Sequence, residues 1–295
     1  MSQPRMDSAG THRSGAKRAG DVISHGVLAA AASLIVIPLV WLICASLKRN
    51  EDFFTSLFLP RGEGFLGVAW GRLTLEHFEA LIPLGIARAA LVSVFLASVT
   101  AVVATLAAAM GGFALARLRF RGRRTVEALV LAAIVIPPTL LLAPGYQLLF
   151  QLGLLDTMAG LILPAAAPAF GVYLFRQATI SSVPPQLLEA ARIDGCGDVA
   201  AFFRIALPLV MPMASAFLMI TFLGTWNNFL TPQVVLQTPS NFPLAVTVAQ
   251  LRGVYYQEYG LLMAGTLVSI APLLLLFLLL QRDFISGLTS GAVKG

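Results

Sequence analysis

Glu189-Ala190-Ala191-Arg192-Ile193-Asp194-Gly195, closed further on by Ile205-Ala206-Leu207-Pro208, is a polar island in a largely apolar chain. Apolar runs flank it, Met158–Thr179 before and Leu209–Leu230 after. Each has about the 20 residues that a helix needs to cross a bilayer. The island is therefore a short segment between two membrane crossings. Its residues predict a helix–turn–helix. Pro184-Pro185 suit a first helical turn. Gln186–Ile193 follows, with Leu187, Leu188, Ala190 and Ala191 as one apolar face broken by Glu189 and Arg192. Gly195 stands where a left-handed stop is needed. Asp198 is placed to N-cap a second segment, Val199–Ile205, ending before Pro208. Such a helix suits a groove on another protein, with Glu189 offered to an arginine there. A solvated loop with ordinary caps is the plainer reading.

Four more runs complete a set of six spans: Val22–Leu47, Ile86–Ala116, Val126–Leu152 and Leu261–Leu280. The composition agrees, with 58% hydrophobic and 12% charged residues and a mean hydropathy of +0.84. Soluble domains carry about 25% charged residues. Prolines interrupt several runs, at Pro137-Pro138, Pro164, Pro168 and Pro272. They imply either packing kinks or bent helices lining a pathway. The second run carries Ser93, Ala97, Ala101, Thr105 and Ala109 at every fourth position. On a helix these form one smooth ridge, which another backbone can approach closely.

The net charge of +6 raises nucleic acid as a partner, but the basic residues are parcelled out between apolar runs and form no stripe. Topology explains them better. With the N-terminus inside, fourteen Lys/Arg fall on the inner side and six on the outer, which favours both ends inside and places the island in the cytoplasm. Residues 1–21 read as a disordered basic tail, 22–282 as the membrane domain with the island loop at 181–208, and 283–295 as a second tail. The outer segments hold a short helix around Leu75-Glu76-His77-Phe78 and a Tyr255-Tyr256-Gln257-Glu258-Tyr259 patch suited to a membrane edge.

Several chemistries are excluded. No lysine follows a phosphate-binding glycine loop, so the chain is not itself an ATPase. The span interiors are nearly free of ionisable residues, with Glu127 and Arg176 only at edges, which disfavours ion coupling. No nucleophile elbow or paired carboxylates point to catalysis. Cys44 and Cys196 make neither a disulfide framework nor a zinc site and are expected to be free, and the three histidines share no metal-ligand spacing. A chain that moves cargo without fuel of its own must borrow energy from a partner or act as a passive channel.

The spacing Glu189-Ala190-Ala191-x3-Gly195-x9-Ile205-x-Leu207-Pro208 resembles the signature loop of binding-protein-dependent ABC importer permeases. Phe113-Ala114-Leu115-Ala116-Arg117, Ser182-Val183-Pro184, Trp226-Asn227-x-Phe229 and the end Gly287-Leu288-x3-Gly291-Ala292-Val293-Lys294-Gly295 are similar to the smaller permease of maltose-type sugar importers. Asn228 departs from the acidic residue that often follows Trp-Asn in that family, and Phe113 from a common tyrosine.

The resemblance implies an all-α, six-span, type I importer fold in a bacterial or archaeal cytoplasmic membrane. It implies a second homologous permease, two ATP-binding subunits and an extracytoplasmic sugar-binding protein. ATP and Mg would sit on the ATPases, with no cofactor on this chain. Glu189, Ala190, Ala191, Asp194, Gly195, Ile205, Leu207 and Pro208 would form the ATPase-coupling segment, with Lys294 as a tail contact. Asn227, Asn228 and Gln233 are polar near the outer end of span five, suited to cargo hydroxyls or to helix–helix hydrogen bonds. Glycerol phosphate or a polyol is the alternative cargo. A non-transporting scaffold or passive channel is the alternative class.

Overall fold

Helices make up the regular structure of residues 11–253 and 258–292, the part of the chain that the computed structural model describes; side chains are described for residues 21–253 and 258–278. Along the chain run α1 (Thr11–Ser46), α2 (Glu76–Leu81), α3 (Ile86–Arg117), α4 (Arg123–Val135), α5 (Leu142–Gln151), α6 (Met158–Ala165), α7 (Ala169–Ser182) and α8 (Pro185–Ile193). They continue with α9 (Asp198–Ala201), a π-turn over Phe202–Ala206, α10 (Leu207–Leu209), α11 (Met211–Trp226), α12 (Leu230–Val235), α13 (Leu244–Gln250) and α14 (Tyr259–Ala292). Two isolated antiparallel bridges, Lys48–Leu73 and Arg61–Val68, are the β-pairing among the described residues.

Among the described residues, three helices are long and apolar enough to cross a membrane unaided: Asp21–Ser46, Ile86–Arg117 and Tyr259–Leu278. The other three expected spans are each broken. Arg123–Val135 meets Pro138–Gln151 at 100°, Met158–Ala165 meets Ala169–Ser182 at 41°, and Asp198–Leu209 meets Met211–Trp226 at 83°. The count is thus three crossings, or up to six if each bent pair is one. Prolines explain the first two breaks, because Pro137-Pro138 and Pro168 remove amide donors, and Pro137 and Pro168 themselves take extended backbone. The third break corrects the expected fifth span. Its helix begins at Met211 rather than Leu209 and ends at Trp226 rather than Leu230.

Two compact units divide the chain. The first comprises residues 1–78 and 258–267. Only 6% of the most apolar stretch of α1 is buried, so this helix requires lipid or another chain around it. The loop after α1 is organised by Lys48, which is 1% exposed. Its ammonium donates to the carbonyls of Ser56 and Leu57, and its own carbonyl accepts from His77 Nε2 at 2.8 Å. Burial pulls this ammonium below its usual range, with Cys44 and Asp52 opposing the shift. Asp52, also buried, pairs with Arg72 at 2.6 Å, and Phe53 stacks on Tyr259. The hydropathy pattern reads Lys48 as an ordinary loop charge and misses this role.

The second unit comprises residues 79–257 and 268–295. Its axis is α3. The predicted ridge is buried along its length, with Ala97 and Ala101 at 0% exposure and Ala104 and Ala108 added to it. Small side chains let α7 and α11 pack close, and two glycines take the closest approaches. A Cβ on Gly112 would lie 2.6 Å from the Arg176 amide nitrogen, and one on Gly171 would lie 2.5 Å from the Phe217 ring. One core cluster joins Ala108, Ala109 and Phe113 to Phe175, Ala178 and Phe217. A second gathers Leu96, Leu149, Leu161, Val235, Phe242 and Val246. At that second cluster Ser93 Oγ accepts the Leu244 amide at 2.7 Å. Asp156, with φ at 57°, accepts the amides of Gln237 and Thr238 at 3.0 Å and the Thr238 hydroxyl.

Gly112→Ala forces the α7 backbone to move and should cost roughly 1–3 kcal/mol, read as a lowered Tm of the detergent-solubilised protein. Gly145→Ala, where nothing lies within 4 Å, should be neutral or stabilising. The hydrogen bonds from Thr238 and Gln237 hold the Asp156 carboxyl down to about 2. A carboxylate depressed from its ordinary value of about 3.9 contributes fully above that value and loses its contribution as pH falls through its folded value. Hydrogen-exchange protection of residues 236–242, corrected for intrinsic rate, should therefore hold from neutral pH to about 4 and decline below. Asp156→Ala should remove it at every pH.

Candidate functional site

The first helix of the polar island starts and stops where its prolines and glycine predict. Pro184 is the N-cap of α8 with φ −60° and ψ 136°, and Pro185 opens the helix. Gly195 ends the turn with φ +81°, a conformation that costs most side chains about 1–2 kcal/mol. The Cys196 amide bonds back to the Ala191 carbonyl at 2.8 Å. Cys196 and Cys44 are both free thiols.

Three expectations need correction. The four apolar residues of α8 do not form one face. Leu188 and Ala191 are buried, whereas Leu187 and Ala190 are exposed. Residues three apart share a helix face, and Leu188 and Ala191 are the pair that meets the core. Asp198 is not a cap either. Gly197 takes that position, and Asp198 is the first residue of α9, where its carboxylate pairs with Arg192 at 3.0 Å. The second segment also does not stop before Pro208. It passes through the π-turn and α10 to Leu209 and breaks at Val210. Pro208 is tolerated there because it falls in the first turn of α10.

The buried half of the island belongs to the main core. Val183, Leu188, Ala201, Phe202, Ala206 and Val210 cluster with Ala108, Ala109 and Phe113 of α3, and Ile205, Leu207 and Cys196 pack against them. Phe202 lies 5.5 Å from Phe113, ring centre to ring centre. The other half is uncovered. Glu189, Ala190, Asp194 and Gly195 are exposed, Ile193 is 87% exposed and Val199 68%. An exposed isoleucine and valine beside a free carboxylate make a surface with apolar area and one charge for a partner to read.

Arg117 fixes this arrangement, a role that the sequence reading does not assign to it. One guanidinium nitrogen donates to the carbonyls of Thr179, Ile180 and Val183, the first two at 3.2 Å. The last carbonyls of a helix lack partners within it, and a cation there also complements the helix dipole. The end of α7 and the start of the island are thereby tied to the end of α3. A charge at the last turn of a span, followed by a loop, is the signal that points to it. Nearby, Arg176 pairs with Glu127 across α7 and α4, which neutralises the two charges at the span edges.

Of the expected pathway residues, Asn227 and Asn228 make local side-chain bonds. Asn227 Nδ2 donates to the Leu223 carbonyl at 2.9 Å. Asn228 Oδ1 accepts the Thr231 amide at 3.3 Å, at the start of α12. Gln233 is exposed. The three bind neither one another nor a second long helix. Lys294 and Tyr255-Tyr256-Gln257 lie outside the described residues. Among the described residues, no group of His, Cys, Asp or Glu could hold a metal ion.

Comparison with known proteins matches this architecture. The chain is similar to the arabinooligosaccharides transport system permease protein AraQ of Halalkalibacterium halodurans, 37% identical over 274 residues that cover 90% of this chain and 93% of the relative. It is similar to the lactose transport system permease protein LacG of Rhizobium radiobacter, 30% identical with 94% and 98% covered. A solved bacterial ABC transporter involved in import of the acidic polysaccharide alginate shares the fold, with a TM-score of 0.75 at 19% identity over 95% of this chain and 100% of that one. Residues 104–286, from mid-α3 through the island into α14, match the family model of the binding-protein-dependent transport system inner membrane component. With the apolar helices already described, the chain is a membrane protein and belongs to that family.

Proposed function

We propose that this chain is a non-catalytic permease subunit of an ATP-driven importer for a sugar or oligosaccharide, and that the island is its coupling segment. The observation that carries this reading is the division of the island into two faces. Leu188, Ala201 and Phe202 share a core with α3, α7 and α11, while Glu189, Ala190, Ile193 and Asp194 remain uncovered. A partner gripping the uncovered face pulls on the same core that joins the three helices. Ala191, Ile205 and Leu207 transmit the pull by packing inward, and Gly195 and Pro208 shape the turn and the exit.

In this reading the bent pairs each make one crossing, giving six with both ends in the cytoplasm, and the membrane is the cytoplasmic one. The uncovered face docks on one of two ATP-binding subunits, which carry ATP and Mg, while a homologous permease completes the pathway. An extracytoplasmic binding protein delivers cargo. Nucleotide acts by differential affinity, favouring the state in which the ATPases close and draw the coupling segments together. The family match and the relatives named for arabinooligosaccharides and lactose support carbohydrate as cargo. Lys294 remains a proposed tail contact with the ATPases. Asn227 and Asn228, held by local bonds, are weaker candidates for touching cargo than Gln233.

Glu189→Lys reverses the charge on the docking face. Losing one charge-assisted hydrogen bond there should weaken ATPase retention about 10- to 100-fold. Gly195→Asp strains the turn and should do the same. Pull-down of the ATPase on tagged permease and uptake of labelled oligosaccharide both read the effect. Retention at the wild-type level in both variants would remove the docking role.

A further inference from the structure

Eight residues, Arg117 to Arg124, carry five arginines. Arg117 is committed to three carbonyls. The ion pairs among the described residues join Arg72 to Asp52, Arg176 to Glu127 and Arg192 to Asp198. Arg119, Arg121, Arg123 and Arg124 therefore have no carboxylate partner among them. Two adjoining cavities, of about 870 and 500 Å³, share Arg119, Phe120 and Arg123 in their walls. The larger is also lined by Arg117, by Glu189, and by Arg192 with its partner Asp198, so that four arginines there face two carboxylates. Guanidinium groups without a carboxylate partner around a cleft large enough for a small molecule call for an anion, drawn there by charge.

The depth of the site narrows the ligand. At 1.5 Å per residue α3 is about 48 Å long, against a hydrocarbon core of about 30 Å, so its ends reach the polar boundary. Arg117 is its last residue. Beyond the arginines α4 at once presents apolar side chains, Val126 and Leu129 being 41% and 63% exposed, and Phe120 is exposed at the rim. A free phosphate would use only the arginines. A phospholipid would use both, its phosphate among the guanidinium groups and its chains along Phe120, Val126 and Leu129.

We infer that the cavity between the α3–α4 turn and α8 is a binding site for the headgroup of an anionic phospholipid. Glutamine at Arg119 and Arg123 together should weaken binding roughly thirtyfold. The test uses the full chain in neutral detergent, with native mass spectrometry counting phosphatidylglycerol and phosphatidylcholine retained. Phosphatidylglycerol should be held and phosphatidylcholine not. Arg119→Gln/Arg123→Gln should lose it, Arg61→Gln/Arg252→Gln, with the same change in net charge, should keep it, and Arg119→Lys/Arg123→Lys should stay within about threefold of wild type because a cation remains. Equal retention of phosphatidylcholine would overturn the proposal. So would loss in the Arg61→Gln/Arg252→Gln control or equal loss in the lysine and glutamine variants. Displacement of the lipid by inorganic phosphate at low millimolar concentration would overturn it too, by assigning the site to a soluble anion.

Discussion

Contact between the α3 and α7 backbones at Gly112 is the constraint on which the second unit rests. It brings the ends of α3 and α7 within reach of one side chain, so that Arg117 can serve the carbonyls of Thr179, Ile180 and Val183 together. That bond set holds Val183 in the core, and Val183 leads directly into α8. Without the close approach the guanidinium would have to span a wider gap, and the start of the island would have no fixed origin. Gly171 does the matching work against Phe217 of α11. The three helices and the island are therefore one packing problem with a shared solution.

Much of this was legible in the chain because two strong signals are local. A small residue at every fourth position of a long apolar run can only be a packing ridge, and Ser93 to Ala109 proved to be buried. The proline start and the glycine stop of α8 are set by backbone sterics that act within a few residues. What the sequence hides is set by distant neighbours. Leu187 and Leu188 are adjacent and chemically identical, yet one faces the core and the other faces out, because α3 and the π-turn lie on one side only. Asp198 prefers Arg192 to its own helix end, a choice made by the turn at Gly195. The burial of Lys48 needs the carbonyls of Ser56 and Leu57 around it, which no hydropathy pattern contains.

The broken spans show the same limit. Hydropathy counts apolar residues and sees six equal runs, but it carries no direction. The 100° bend at Pro137-Pro138 follows from lost amide donors, and the 83° bend falls where Val210 leaves helical backbone, with φ −100° and ψ 8°. Polar residues past the far end of α11 find local partners. Asn228 closes the first turn of α12, which leaves less of its hydrogen-bonding capacity for anything else.

The elbow at Val210 also makes the segment before it a crank. Asp198–Leu209 is about 18 Å long at 1.5 Å per residue, and it meets Met211–Trp226 at 83°, nearly a right angle. Rotation of α11 by about 10° around its own axis would swing the far end of the arm by about 3 Å. Translation of that end would return the same rotation to α11. Because Ala214 and Phe217 sit in the core shared with α3 and α7, a turn of that shaft would reach the bundle as torque added to any pull.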